Sequence, residues 1–326
     1  GTPVANRPYD IWSQIYFLDK GKSLGGSYLE FKNNTDLTND LHENDIGRTT
    51  FIDSVSKINK SINSFCFRET KKTANLNLPN KIFKNISVKL EPEQLEVYMK
   101  YRDELGGVIL RDGIPVFDNA ENLLKNMLRL VEIASNPYIF DNDYMYEPSK
   151  YSYLLDIIYN ATNQSEKCIV WSNFKKNVDW LHKKLNEFNP VRIHGNIAID
   201  DRNKYLDKFK TDQTCKILVA TPASLKEGFT LTVANHCIFF DRSFSLDDYL
   251  QAQDRIHRIS QEKECHIYNL IAENTIDLWI EELLGAKELA ARFAQGDIDK
   301  DQYIDQANFD YGLMIRKILN INQENE

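Results

Sequence analysis

Apolar residues along this chain follow two different rhythms, and the change falls near residue 150. Before it, most apolar positions recur at helical spacing. EPEQLEVYMKYRDEL places Pro92 in a first turn with Glu91 and Glu93 beside it, which is a helix start. NLLKNMLRLVEIASNPYIF (122–140) keeps the helical period and stops at Asn136-Pro137, because the residue before a proline avoids the helical region. A shorter helical run lies around DIWSQIYFL and breaks at Gly25-Gly26. Residues 27–80 are rich in Asn, Thr, Ser and Lys, with weak helical periodicity, and close on the turn Asn-Leu-Pro-Asn (77–80). IFKNISVKL (82–90) alternates apolar and polar positions and reads as a short strand. The first 145 residues are therefore expected to be mostly helical, without a parallel sheet.

After Lys150 short apolar runs alternate with amphipathic helices. The runs are CIVWS (168–172), VRIHG (191–195), KILVAT (216–221), NHCIFFD (235–241) and ECHIYNLIA (264–272). The helices are YSYLLDIIYN (151–160), KNVDWLHKKL (176–185), DDRNKYLDKF (200–209) and LDDYLQAQDRIHRI (246–259). Strands and helices alternating at this spacing predict an α/β fold, a parallel sheet covered on both faces. From Asn274 onward the chain reads as helical and acidic. Trp171, Trp180 and Trp279 are expected in the core.

Composition narrows the class. At 326 residues the chain can bury a sizeable core, and no apolar run approaches the roughly 18–20 residues of a membrane helix. No signal peptide opens it. The five cysteines, Cys66, Cys168, Cys215, Cys237 and Cys265, include no Cys-x-x-Cys pair, so no zinc cluster is expected. They read as reduced thiols, most of them small core residues. The net charge of −8 resides in the tail: from Glu262 onward there are 6 Lys+Arg against 14 Asp+Glu, leaving the rest neutral. Lys167–Lys210 carries 10 basic and 5 acidic residues, so a local phosphate-binding surface is compatible with the acidic whole. Solvated helix faces would give the same counts.

Ligands of open parallel sheets bind at the carboxyl ends of the strands. Here those ends are Ser172-Asn173, His194-Gly195, Thr221-Pro222 and Asp241-Arg242. Arg255 and Arg258 are three apart in a predicted helix, so both would project from one face. Two guanidiniums can stabilise charge on a transferred phosphoryl group. A helix salt-bridged through Asp248 and Asp254 is the plainer alternative.

QAQDRIHRISQ (251–261) resembles motif VI of the Swi/Snf-like ATPases of helicase superfamily two, Gln-Ala-x-Asp-Arg-x-His-Arg-Ile-Gly-Gln, with Ser260 in the Gly place. Other segments follow in family order. GTPVANRPYDIWSQIYFL (1–18) resembles motif III and its sequel, and RETKKTANLNLPNKIFKNISVKLEPEQLEVY (68–98) the Arg-Arg-Thr-Lys … Leu-Pro-Pro-Lys segment. LLKNMLRLVEIASNPYIF (123–140) is similar to the helix ending Asn-His-Pro-Tyr-Leu, and KCIVWSNF (167–174) to motif IV. VRIHGNIAIDDRNKYLDKF (191–209) resembles the Asp-Gly-Ser … Arg … Phe stretch, KILVATPASLKEGFTLTVANHCIFFD (216–241) motif V, and YNLIAENTIDLWI (268–280) the element after motif VI. Only about the last forty residues lie outside the resemblance. Departures occur at Leu225–Leu231, where Gly228 is kept in a charged loop, and at Phe244-Ser245-Leu246 and Tyr249.

The resemblance implies a RecA-like parallel sheet flanked by helices, the helicase C-terminal lobe, at 146–280. Residues 1–26 would end the first lobe, 27–145 form a mostly helical family-specific insertion, and 281–326 acidic helices. It implies that Arg255 and Arg258 are arginine fingers, with Gln251, Glu227 and Gly228 near the nucleotide. Ser172, Asn173, Lys175, His194, Gly195, Arg202 and Thr221 would contact the DNA backbone, with Lys176 as a further counter-charge. His257 is expected to pack rather than act as a base. ATP and Mg²⁺ are the implied cofactors, held mainly by the N-terminal motor lobe. No Gly-x-x-x-x-Gly-Lys-Ser/Thr loop or Asp-Glu-x-His box occurs in this sequence, and the chain opens without Met inside a motif, so a longer protein is expected and this piece alone should not hydrolyse ATP. Double-stranded DNA, the first lobe and further proteins are the implied partners, with no membrane. The location would be cytoplasmic (nucleoid) in a prokaryote and nuclear in a eukaryote. An unwinding helicase, a restriction motor, or a scaffold that has lost catalysis are the alternatives.

Overall fold

The structure is a computed structural model that describes residues 4, 6–37, 45–63, 65–71, 73–74, 76–111, 114–115, 120–225 and 228–307, with backbone alone over 106–124. The first elements are helices α1 (Trp12–Asp19), α2 (Tyr28–Thr35) and α3 (Asp45–Ile62). Strand β1 (Lys81–Val88), helix α4 (Pro92–Ile109), the short antiparallel pair β2 (Leu110–Arg111) and β3 (Ile114–Pro115), and helix α5 (Ala120–Ser135) follow. The alternating part runs α6 (Lys150–Asn163), β4 (Cys168–Trp171), α7 (Lys175–Lys184), β5 (Val191–Ile193), α8 (Ile199–Thr211), β6 (Ile217–Ala220) and β7 (His236–Phe239). It continues through α9 (Leu246–Gln253), β8 (Cys265–Ala272), α10 (Ile276–Ala294) and α11 (Lys300–Gln306).

The chain divides into two compact units, one of residues 77–243 and 248–278, the other of residues up to 76, 244–247 and, among the described residues, 279–307. In the first unit six of the described strands form an all-parallel sheet of order β1-β8-β7-β4-β6-β5. Successive strand residues point to opposite faces, and here both faces are apolar. Cys168, Val170, Ile217, Val219, Ile238 and Leu270 pack with Leu154, Ile158 of α6 and Val178, Leu181 of α7. Ile169, Trp171, Leu218, Ala220, Cys237 and Ile267 pack on the opposite side with Leu206, Phe209 of α8 and Ala252 of α9. Fully burying each such aliphatic side chain is worth about 1.5–3 kcal/mol, which is why the strands read as unbroken apolar runs.

This is the expected α/β, RecA-like sheet flanked by helices, with one extension. β1 lies in the first 145 residues, where no parallel sheet was expected, yet it is the edge strand, paired with β8 from Lys81↔Cys265 to Val88↔Ala272. Its central residues Phe83, Lys84 and Asn85 are exposed, so its pattern is that of a poorly covered edge and does not reveal its partner.

In the second unit Phe51, Val55 and Ile58 of α3 pack with Ala290, Phe293 and Ala294 of α10 and Tyr303 of α11. Phe293 and Tyr303 stack with centroids 4.6 Å apart. Asp299 and Gln302 form a capping box that starts α11. Residues 308–326, the end of the expected acidic helices, lie outside the described residues. Four cysteines are buried as expected and Cys66 is half-buried.

Candidate functional site

Hydrogen bonds gather the expected site residues into two groups. The first stands at the carboxyl ends of β4, β5, β6 and β7. At its centre the Asp241 carboxylate is 1% exposed. Its Oδ2 accepts from Ser172 Oγ at 2.6 Å and Ser135 Oγ at 2.8 Å, and its Oδ1 accepts from Asn173 N at 2.7 Å and Asn173 Nδ2 at 3.0 Å. Ser172 is wholly buried and Asn173 half-buried. Thr221 is buried as well, donating to Ser224 Oγ at 3.0 Å.

His194 is 5% exposed and its ring is used on both sides. Nδ1 accepts from Asn196 N at 3.3 Å, which leaves Nε2–H to donate to Asp179 Oδ1 at 3.1 Å. Asp179 also pairs with Arg192 at 2.7 Å. His194 therefore shapes the turn that follows β5. The exposed part of this group is the turn itself. Lys175 Nζ donates to Asn196 Oδ1 at 2.8 Å, and its stem runs so close to Gly195 that a Cβ there would sit 3.4 Å from Lys175 Cε. Arg202 donates through Nε to Ile197 O at 2.8 Å and through Nη2 to Gly195 O at 3.2 Å. Lys176 reaches Ile139 O and Asn142 Oδ1, both at 3.2 Å.

The second group surrounds the arginines. The expected helix over 246–259 ends at Gln253, so Arg255 and Arg258 lie in the turns beyond α9. There Arg255 N and Ile256 N bond three residues back, to Ala252 O and Gln253 O, each at 3.3 Å, tightening the chain out of the α-helical pattern. Distant partners hold this turn. Leu231 N donates to Arg255 O at 2.9 Å, and Gln261 Nε2 donates to Ala234 O at 2.9 Å and Ile256 O at 3.0 Å. Ser260, in the family's Gly place, bonds Thr232 through their hydroxyls at 2.8 Å. His257 Nε2 bonds Pro79 O at 2.8 Å, the packing role expected of it.

The guanidiniums converge on one loop. Arg255 Nη1 donates to Phe229 O at 3.3 Å; Arg258 Nη1 donates to Thr230 Oγ1 at 3.0 Å and Gly228 O at 3.5 Å, and its Nε to Asp254 O at 3.1 Å. Asp254 Oδ1 pairs with Lys81 Nζ of β1 at 2.9 Å. Arg255 is 4% exposed and Arg258 half-buried. Burial, with the like charge of Arg258 beside it, presses the Arg255 pKa down, although an arginine remains cationic at neutral pH. Gly228 takes φ +66°, the left-handed region that favours glycine. Gln251 is half-buried on α9, and Glu227 lies outside the described residues.

Asp241 was read only as a strand end. Its one sequence signal is an acid directly after the apolar run Cys237–Phe240, since an acid closing a buried strand needs partners. Among the described residues no cluster of three or more His, Cys, Asp or Glu could hold a metal ion. Among them, too, no helix is long and apolar enough to cross a membrane.

This parallel sheet, with its arginine turn beside the loop from Gly228, has the architecture of a RecA-like helicase lobe. The family descriptions that match are the helicase conserved C-terminal domain over residues 149–260 and the SNF2-related domain over residues 1–139. The chain belongs to the Swi/Snf-like ATPases of helicase superfamily two. It is 30% identical over 282 residues to an uncharacterized ATP-dependent helicase of Mycoplasma genitalium, covering 85% of this chain and 26% of that protein. It is 27% identical over 302 residues to the SWI/SNF chromatin-remodeling complex subunit snf22 of Schizosaccharomyces pombe, covering 85% of this chain and 17% of that one. Among solved structures, the Sulfolobus solfataricus SWI2/SNF2 ATPase core in complex with dsDNA matches with a TM-score of 0.57 and 26% identity, covering 95% of this chain and 63% of that one. The chain thus spans 26% and 17% of the length of these two curated relatives.

Proposed function

We propose that this chain is the second lobe of a DNA-dependent ATPase that translocates on double-stranded DNA. Arg255 and Arg258 are its arginine fingers, and Gln251, Glu227 and Gly228 lie near the nucleotide. The observation that carries the reading is the convergence of the two guanidiniums on the loop Gly228–Thr230, where hydroxyl and carbonyl groups hold them side by side. Two tethered forks suit the oxygens of a transferred γ-phosphoryl group, whose reaction needs positioning and charge rather than covalent chemistry. ATP would be shared with a first motor lobe that supplies the phosphate loop absent from this sequence. Mg²⁺ would accompany the ATP, and its protein ligands are assigned to the first lobe.

The turn Gly195–Ile197 with Lys175 and Arg202 is the backbone-contacting surface. Cationic and main-chain groups suit a motor that tracks phosphates irrespective of sequence. Ser172, Asn173, His194 and Thr221 contribute by shaping that surface and through main-chain groups. Alternate closing and opening of the lobes would move the strand.

The test uses the protein carrying both lobes. Duplex DNA should stimulate its ATP turnover, and Arg255→Ala or Arg258→Ala should lower kcat by roughly 10³-fold or more. It should displace a triplex strand without separating a duplex. Turnover unaffected by both substitutions would sink the reading. Duplex separation would instead favour an unwinding helicase.

A further inference from the structure

We propose that Asp241 is a positioning residue, which holds the loop after β4 in the shape that presents Asn173, Lys175 and Lys176 to a nucleic-acid backbone. The inference rests on the backbone-contact reading above. It concerns a residue that touches no ligand itself.

Burying a carboxylate costs several kcal/mol unless it is well partnered, and an apolar side chain could fill the same space. Asp241 faces hydrogen-bond donors from three other parts of the unit. Oδ2 takes Ser135 from the end of α5, Ser172 from the end of β4, and, more distantly at 3.4 Å, Asn177 Nδ2 from α7. Oδ1 takes both the main-chain and side-chain nitrogens of Asn173. Asn177 extends the network, donating to Ser172 Oγ at 3.1 Å and accepting from Asn136 Nδ2 at 2.9 Å. Asn136 in turn accepts from Tyr138 N at 3.1 Å, which forms the cap after α5.

The main chain just before Asp241 is held as well. Phe240 N donates to Trp171 O at 2.9 Å, and the buried Lys150 Nζ donates to Phe240 O at 3.0 Å. Asp241 therefore leaves β7 in a fixed direction. On the loop side, Phe174 N donates to Ser172 Oγ at 3.3 Å, and Phe174 is the N-cap of α7 without a side-chain capping bond of its own. The start of α7, with Lys175 and Lys176 in its first turn, thus hangs from Ser172 and Asn173. Those two residues hang from Asp241.

The geometry separates a loop-side oxygen from a helix-side partner, and the experiment uses that separation. In the full protein, Asp241→Ala should weaken duplex binding by about 10-fold and reduce the salt dependence of binding by about one phosphate contact, measured well below the melting temperature of the variant. Asp241→Asn should stay within about 3-fold of the parent, because its oxygen can still accept from Asn173 and from the Ser172 hydroxyl while the Ser135 hydroxyl rotates to accept from its amide. Ser135→Ala removes a bond to the same carboxylate, and a longer one from Asn177 Nδ2 at 3.3 Å, while leaving every bond of Asn173 and the bond from Ser172 to Asp241 in place. It should lower stability by about 1 kcal/mol and leave binding within about 2-fold.

Equal binding losses for Ser135→Ala and Asp241→Ala would reduce Asp241 to general scaffolding and overturn the proposal. So would a folded Asp241→Ala that binds as the parent does. If Asp241→Ala does not fold, the comparison of Ser172→Ala with Ser135→Ala decides, since only the loop-side substitution should weaken binding. Lys175→Gln with Arg202→Gln separates the two readings: binding unaffected by that pair removes the contact surface itself, whereas binding lost there but kept in Asp241→Ala removes only the positioning role.

Discussion

Lys150 and Asp277 meet at 2.5 Å inside the first unit, the lysine side chain wholly buried and the aspartate 5% exposed. Each is committed further. Lys150 Nζ donates to Phe240 O, and Asp277 Oδ2 accepts from Ala272 N at 2.9 Å where β8 hands over to α10. The pair thus ties the start of α6 to the ends of β7 and β8.

Breaking such a pair from one side leaves a buried charge without its partner, which costs about 3–5 kcal/mol, whereas replacing both partners by apolar groups is far milder. Lys150→Met and Asp277→Leu alone should each shift the urea midpoint strongly down. The double variant should recover a large part of that loss. Additive losses across the cycle would mean that the two residues act independently.

Acid should destabilise the first unit in two stages, read from one cluster at the amino ends of β7 and β8. His236 Nε2 bonds Glu166 Oε2 at 2.6 Å, Lys263 Nζ bonds Glu166 Oε1 at 3.0 Å, and the His236 ring stacks on His266 at 4.9 Å. Its Nδ1 is buried without a hydrogen-bond partner. Burial lowers the His236 pKa against the pull of Glu166. For Glu166, burial pushes the pKa up, but bonds from His236, Asn235 and Lys263 outweigh it and bring it to about 2. Both folded values lie below the unfolded ones, so the unfolded chain takes up protons first and stability is fullest above about pH 6.5. It should decline as pH falls below that point through the depressed value of His236, and again between 4.5 and about 2 as Glu166 protonates. His236→Gln keeps a donor for Glu166 without titrating. Urea unfolding across pH should then show a shallower first decline, not its loss, since burial depresses His182 as well. An unchanged first decline would remove His236 from the account.

These relationships differ in how far the chain alone discloses them. The alternating face pattern of β4, β6 and β7 is local, so the sheet was legible from its apolar runs. The pairing of β1 with β8 joins residues 81 and 265, and no local pattern carries such a register. Motif VI identified Arg255 and Arg258, yet the helix drawn through them was too long. Its apolar spacing continues past Gln253, while the bonds that bend the chain come from Leu231 and Gln261. Ser172, Thr221 and His194 looked like ligand donors because hydroxyls and imidazoles at strand ends commonly are. The partners that occupy them, Asp241, Ser224 and Asp179, are visible only once the strands are side by side.

Gly228 isolates the cost of backbone conformation beside the arginines. A Cβ built there meets nothing within 4 Å, so Gly228→Ala should cost only the left-handed penalty of roughly 1–2 kcal/mol. Gly228→Asn should cost less, because asparagine tolerates that region. Equal midpoints for all three proteins in urea would show that the turn relaxes to negative φ.

Gly296 carries both kinds of cost, and they can be separated. It follows α10 with φ +74°. Gly296 N donates to Phe293 O at 3.0 Å and Asp297 N to Arg292 O at 2.9 Å, the paired bonds of a Schellman cap. Asn59 of α3 closes over this cap, its Nδ2 donating to Gln295 O at 3.0 Å. A Cβ on Gly296 would lie 2.8 Å from Asn59 Cγ. Gly296→Ala should therefore lose roughly 1–2 kcal/mol to backbone strain and a further 1–3 kcal/mol, approximately, to overlap. Asn59→Ala alone should lose about 1 kcal/mol with its hydrogen bond. In the double variant the overlap is gone and the strain stays, so its loss should fall short of the sum of the single losses. A double-mutant cycle in urea measures that shortfall. Strict additivity would mean that α3 moves aside at no cost and that strain alone requires glycine at this helix end.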